Sequence, residues 1–215
     1  MTLRELVRFI RLLPSRVPGK FSRWRRNLQG KPRPGYAADD FDQRTGMDTA
    51  TPVKIYKLDS INGSYVHGQG YATLSAAAFQ GAIELLPTSC RNYAFYDLGS
   101  GKGKAAFLAN DAGFQSVIGV ELSPMLVNIA NSNRQKWPRP DEFRFVLADA
   151  SQFVFEDRNS IVFLYHPFDA LVTRKVVANI EKSFSNSEVW VVYVSPLHRK
   201  CFEGWNLYAE KGMRW

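Results

Sequence analysis

The chain has 215 residues, of which 45% are hydrophobic, and a formal net charge of +8 at pH 7. That length suits one sizeable core with an appendage, and the longest apolar run, Val189–Val194, is far shorter than the about 20 residues of a membrane-spanning helix. The two cysteines, Cys90 and Cys201, and the three histidines lack the spacing of a disulfide framework or a metal site. We therefore expect a reducing compartment and no metal.

The positive charge is concentrated at the amino terminus. Ten of the 28 Lys and Arg residues lie in Met1–Gly35, against one acid, Glu5. Apolar residues recur there at helical spacing up to Pro14: Leu3, Leu6, Val7, Ile10 and Leu13. This pattern predicts a basic amphipathic helix. Prolines and glycines follow and are typical of a linker, so we divide the chain into an arm, 1–38, and a folded domain, 39–215.

A basic arm of this kind has several possible partners. It fits an anionic membrane surface, a nucleic acid or an organelle transit peptide, and equally a helix that packs its apolar stripe on the body of the protein. The arm alone does not decide the function. We expect a cytoplasmic protein, with peripheral membrane attachment as an alternative and a mitochondrial location if the source is eukaryotic.

From residue 93 onward, strand-like and helix-like segments alternate in the sequence. Short β-branched or aromatic runs lie at 93–98, 117–122, 143–148, 161–166 and 189–194, separated by helix-like stretches at 104–110, 124–135 and 170–182. Ser123 before Pro124 is a typical N-cap and first-turn pair. The alternation predicts βαβ units and a doubly wound, Rossmann-like parallel α/β sheet. Ligands of such folds bind at the carboxyl ends of the strands.

The loop after the first run places Gly99, Gly101 and Gly103 directly behind Asp97. Its Gly-Lys pairs do not have the spacing of a Walker A loop, and it departs from the dinucleotide pattern GxGxxG because Lys104 stands in place of the third glycine. A carboxylate at Asp97 opposes a pyrophosphate and suits a cationic group. S-adenosylmethionine (SAM) has a sulfonium, an ammonium and no phosphate, so the loop favours SAM.

Two further carboxylates lie at the ends of the next two strand-like runs. Glu121, followed by Leu122, is placed to accept hydrogen bonds from both ribose hydroxyls, although NAD enzymes also have an acid there. Asp149, followed by Ala150, is placed to accept from an adenine amino group. Three acids at three successive strand ends predict a nucleoside site. A nicotinamide-dependent oxidoreductase remains an alternative, although the carboxylate of Asp97 argues against it.

Three motifs resemble the nucleoside-binding motifs of class I SAM-dependent methyltransferases: DLGSGKG (97–103), GVELSP (119–124) and LADASQF (147–153). Further segments resemble a largely uncharacterised bacterial group of these enzymes: FDQRTGMDT (41–49), HGQGYATL (67–74), HPFD (166–169) and YVSPLHR (193–199). The resemblance implies a seven-stranded sheet with an antiparallel last hairpin, in which WNLYAE (205–210) forms the sixth strand. It also implies that the segment around Tyr71 folds over the methionine end of SAM.

By the same resemblance, the chemistry follows the fourth run, at HPFD. His166 stands where related sequences have an amide, and a neutral imidazole offers one acceptor and one donor. His166 is therefore the predicted catalytic residue, which orients a nucleophile or takes its proton. Asp169 is predicted to cap the next helix. Three residues at or just after the end of the fifth run are further candidates for this pocket: Tyr193, Ser195 and His198.

The implied reaction is methyl transfer to an unidentified acceptor, a nitrogen of a protein lysine or of a small molecule. Two alternatives are a nucleic-acid methyltransferase and a non-catalytic SAM-fold protein that docks on RNA or a membrane through its arm.

Overall fold

The computed structural model describes residues 7–14, 40–53, 73–165 and 167–213. Within these ranges the α-helices are α1 (Phe41–Thr45), α2 (Ala76–Ile83), α3 (Lys104–Asp111), α4 (Pro124–Arg134) and α5 (Ala170–Ser183). The strands are β1 (Val7–Pro14), β2 (Ala94–Leu98), β3 (Val117–Glu121), β4 (Phe143–Leu147), β5 (Ser160–Tyr165), β6 (Val189–Val194) and β7 (Asn206–Met213).

The described strands form one seven-stranded sheet in the order β4-β3-β2-β5-β6-β1-β7, and neighbouring strands pair in parallel throughout. From β2 the chain proceeds outward through β3 to β4, then returns to β5 on the other side of β2. The strand order therefore reverses between β2 and β5, which is where doubly wound folds bind their ligands. The predicted doubly wound α/β fold is confirmed.

Both faces of the sheet are covered. The residues of β2, β3 and β6 are buried along their whole length, because side chains on opposite faces enter two separate apolar cores. Phe95 packs with Phe163 in one core, while Tyr96 packs with Phe155 in the other. A strand that is buried on both faces needs apolar side chains at nearly every position, and this explains the near-continuous apolar runs in the sequence.

Two predicted helix starts are confirmed. The Ser123 side chain accepts a hydrogen bond from the Leu126 amide, with Pro124 in the first turn of α4. The Asp169 side chain accepts from the Val172 amide at 2.9 Å and caps α5. Asp169 is therefore committed to the backbone of α5, as expected.

The predicted amphipathic helix is wrong for the described part of the arm. Val7–Pro14 forms β1, inserted between β6 and β7. Phe9 and Ile10 are 3% and 0% exposed and enter the two different cores, whereas an amphipathic helix buries a single stripe. Burial on both faces and pairing on both edges override the helical spacing of the sequence. Residues 1–6 and 15–39 lie outside the described residues, so the boundary at residue 38 stays a prediction.

The two arginines of this segment, Arg8 and Arg11, form ion pairs with other strands or their flanking residues. Arg8 forms an ion pair with Glu188 at 3.3 Å and lies over the Trp190 ring, 5.0 Å from its centroid. Arg11 pairs with Glu210 of β7. Two charges that suggested an anionic partner thus join β1 to its own sheet.

The implied antiparallel last hairpin is also wrong. The predicted strand 205–210 is present within β7, but its neighbour in the sheet is β1, and the two are parallel. The end of the sheet is completed by a strand from the amino terminus. None of the helices in the described ranges is long and apolar enough to cross a membrane.

Candidate cofactor site

The glycine loop connects β2 to α3 at the carboxyl edge of the sheet. Gly99 and Gly103 have φ values of 75° and 90°, a region that residues with a Cβ adopt only with strain. A Cβ at Gly99 would also lie 2.4 Å from Cβ of Pro167, the residue two positions after β5. The loop therefore needs glycine for its backbone and for close packing against the segment after β5. Gly101, at φ 55°, shares the same conformation.

Asp97 lies within β2, just before the loop, and is 3% exposed. Its Oδ2 atom has no hydrogen-bond partner among the described residues. Burial, followed by the charge of Glu121, raises the pKa of Asp97 to about 7, against the opposing hydrogen bond of the Ala106 amide. A buried carboxylate oxygen without a donor is costly, and an ammonium group of a ligand would satisfy it.

Glu121 ends β3 and is 6% exposed. Its Oε2 accepts the Gly101 amide and its Oε1 accepts the Ser123 amide, both at 2.9 Å. These two hydrogen bonds orient the Glu121 carboxylate. Leu122 follows and is half-buried. The carboxylate is thus held by two elements, the glycine loop and the start of α4.

Asp149 lies two residues after β4 and is half-buried. Its Oδ1 accepts from the amide and the hydroxyl of Ser151, at 2.8 and 2.7 Å. The side chain of Asn179, from α5, donates to the carbonyls of Ala150 and Phe153 and holds this loop in place. Both contacts of the Asp149 carboxylate use Oδ1, and Oδ2 is the oxygen that the adenine interpretation requires.

The structure brings Asp97, Glu121 and Asp149 to the ends of three adjacent parallel strands, at the same edge of the sheet. Tyr71 and His166 lie outside the described residues, so their predicted roles stay predictions. The described ranges contain no cluster of three or more His, Cys, Asp or Glu side chains that could hold a metal ion.

The additional pocket candidates have different surroundings. Tyr193 is 1% exposed and packs against Phe202 in the core, and burial raises its pKa to about 12. It therefore supports the sheet instead of lining an open pocket. Ser195 and His198 are half-buried after β6.

Sequence reasoning missed the role of the two lysines in the glycine loop. Lys102 is 1% exposed, and its Nζ donates to both carboxylate oxygens of Asp48 at 2.8 Å. Burial alone would raise the pKa of Asp48, but hydrogen bonds from Lys102 and Thr51 hold it below its usual value. Lys104 is 4% exposed, with Nζ 5.4 Å from the centroid of the Phe41 ring. Both lysines contact residues of the segment 40–53. The resemblance of the motif at 41–49 was the signal in the sequence that this segment matters.

Residues 95–185 match the family described as "Methyltransferase domain". The matched stretch extends from β2 to the end of α5 and includes all three carboxylates. This stretch, less than half of the chain, is similar in sequence to methyltransferase domains. For these residues the predicted methyltransferase family is confirmed, and SAM, the predicted cofactor, is the methyl donor of class I methyltransferases.

Solved structures with similarity to the methyltransferase domain act on different kinds of molecule. The glycopeptide N-methyltransferase MtfA, complexed with S-adenosylhomocysteine (SAH), is 19% identical with a TM-score of 0.46, over 54% of this chain and 47% of that one. An RNA methyltransferase from Salinibacter ruber, also with SAH, is 21% identical with a TM-score of 0.43, over 55% and 75%. A geranyl diphosphate methyltransferase in complex with GPP and sinefungin is 20% identical with a TM-score of 0.41, over 49% and 40%.

The chain spans about half the length of the glycopeptide methyltransferase structures it matches. At these identities and TM-scores the comparisons carry no argument about the acceptor. A comparison with curated proteins gave no match.

Proposed function

We propose that the protein transfers the methyl group of SAM to a nitrogen of a protein lysine or of a small molecule. The observation that carries the cofactor half of the proposal is the Asp97 carboxylate, buried at a strand end with one oxygen lacking a donor. A phosphate ligand would meet repulsion at this position, whereas the ammonium of a methionine moiety supplies the missing hydrogen bond. Glu121 and Asp149 complete the set at the next two strand ends.

When bound, SAM supplies a methyl group on an already activated sulfonium leaving group. The residues of this chain then have three tasks. Asp97 holds the ammonium, Glu121 accepts from the ribose hydroxyls, and Asp149 accepts from the adenine amino group. Together they fix the donor in one orientation, and orientation supplies much of the rate enhancement in such a displacement.

The acceptor side is assigned to the HPFD segment after β5. Pro167 lies directly against Gly99 of the cofactor loop, and Phe168 is half-buried beside it. These two residues form an apolar wall next to the proposed donor and help exclude water from the reacting atoms. We assign to His166 the task of orienting the attacking nitrogen or taking its proton, because an amine must be unprotonated to attack.

Calorimetric titration with SAM, SAH and NADH tests the cofactor. We expect micromolar binding of SAM and SAH, and a loss of about 1.5 to 3 kcal/mol of affinity in Glu121→Ala, which is roughly ten- to a hundred-fold. Glu156→Ala, at an exposed site in the described ranges, is the matched control and should bind as the wild type does. Binding of NADH alone would contradict the proposal, and binding of nothing would favour a non-catalytic docking protein.

Turnover then identifies the acceptor. SAH production should rise with lysine-containing peptides or small amines, and it should require unprotonated amine. His166→Ala should lower kcat while leaving SAH affinity within about twofold, since the proposed contact of His166 is with the acceptor. Equal turnover of the His166→Ala variant would remove this assignment.

A nucleic-acid acceptor is the second candidate, and the position of β1 favours it. Because β1 is parallel to β6, with Leu12 opposite Val194, its last residue lies at the carboxyl edge of the sheet. Seven Lys and Arg residues follow in sequence between Arg16 and Arg33. RNA or DNA belongs in the same turnover assay for this reason. We place the protein in the cytoplasm, with an anionic membrane surface as another candidate contact of the arm.

A further inference from the structure

The motif FDQRTGMDT (41–49) has no part in the proposed chemistry, yet it is tied to the glycine loop. The Lys102 side chain is 1% exposed, and its Nζ donates to both oxygens of Asp48 at 2.8 Å and to the Thr51 carbonyl at 2.9 Å. An ammonium that has lost its hydration depends on such partners. The position of Asp48 therefore constrains the path of the loop at Lys102.

A second side chain holds Asp48 from the other flank of the site. Asn133, in α4, is 1% exposed. Its Nδ2 donates to the carbonyls of Asp48 and Lys102, at 3.0 and 3.1 Å, and its Oδ1 accepts the Asp48 amide at 3.0 Å. Asp48 is thus bound both to the loop after β2 and to the helix after β3, the two elements that flank the cofactor carboxylates.

The connection continues to a proposed ligand contact. Gly101, the residue before Lys102, donates its amide to Oε2 of Glu121 at 2.9 Å. A displacement of Lys102 shifts this amide and so the carboxylate assigned to the ribose. Asp48, Lys102, Gly101 and Glu121 form a continuous series of contacts from the segment 40–53 to the cofactor site.

We propose that Asp48 and Lys102 are positioning residues that couple the segment 40–53 to occupancy of the cofactor site. The inference rests on the proposed function, since a ligand that holds Glu121 and the glycine loop also holds Lys102. With the site occupied, the segment opens less often, and an intact link raises affinity because less of the loop has to be ordered on binding.

Hydrogen exchange of the full chain, with and without saturating SAH, tests the coupling. In the wild type, SAH should slow exchange of peptides from 40–53 about tenfold. Lys102→Met should abolish that protection and weaken SAH binding about tenfold. This variant leaves the half-exposed Asp48, 45% exposed at its side chain, free to hydrate, whereas Asp48→Asn would leave a buried ammonium without its counter-charge.

Lys136→Met is the matched control. Its exposed Nζ donates to the Gly46 carbonyl at 2.7 Å, so it touches the same segment without touching the glycine loop, and it should retain both protection and affinity. Should Lys102→Met fail to fold by circular dichroism, Lys102→Leu, which also lacks a hydrogen-bond donor, carries the same comparison.

Two outcomes separate this inference from the proposed function. Calorimetric binding of SAH without protection of 40–53, or protection that survives in the folded Lys102 variant, overturns the coupling alone. Absence of SAH binding in the wild type overturns the proposed function, and the coupling with it.

Discussion

Asp97 makes the stability of the ligand-free protein depend on pH. Its pKa of about 7 in the folded chain lies above its ordinary value of 3.8, so the folded state binds more protons than the unfolded state between these pH values. Stability therefore falls as pH rises from about 4 to 7, by up to about 1.4 kcal/mol per pH unit, and stays low above 7. Asp97→Asn should flatten this slope, as measured by urea unfolding across that range; an unchanged slope would show that another group causes it.

The same carboxyl group links ligand binding to proton release. Because a bound ammonium favours the ionised carboxylate, SAH should bind most tightly above about pH 7.5. Below pH 7 the affinity should fall as the pH falls, with a limiting slope of about tenfold per pH unit. Calorimetry in two buffers of different ionisation enthalpy measures the protons released. Asp97→Asn should bind more weakly and without this pH dependence, whereas affinity that is constant from about pH 5.5 to 8 in the wild type would exclude the ammonium assignment.

At the level of elements, β1 is the feature whose assignment is easiest to test. A strand buries Phe9 and Ile10 on opposite faces, and Phe9 stacks on Phe202 at 4.7 Å between ring centroids. Phe9→Ala should therefore cost about 3 to 5 kcal/mol of unfolding free energy. In the amphipathic helix that the sequence suggested, Phe9 lies off the apolar stripe, and the same substitution would cost little.

Chemical denaturation of Phe9→Ala beside Leu207→Ala checks this. Leu207 lies on β7 and is 47% exposed, so its truncation should cost less than about 1 kcal/mol. Equal, small losses for the two variants would mean that residues 7–14 do not form an inner strand of the sheet.

Across the whole molecule, the sequence predicted the features that depend on residues close together in the chain. Strands β2 to β6 and their helices follow from short apolar runs and nearby caps, and Asp97, Glu121 and Asp149 follow from their places at the ends of those runs. The role of Lys102 was not predictable because its partner Asp48 is 54 residues away. The strand β1 was not predictable because its conformation depends on a gap between two strands near the other end of the chain.

The place of β1 also has a consequence for synthesis. Val7 pairs with Val189, so β1 leaves the ribosome about 180 residues before the strand β6 that it pairs with. Translation proceeds at about 5 to 20 residues per second, which leaves an apolar strand with Phe9 and Ile10 exposed for roughly 10 to 40 seconds. During that interval the unpaired β1 offers an apolar binding site to a chaperone near the exit tunnel.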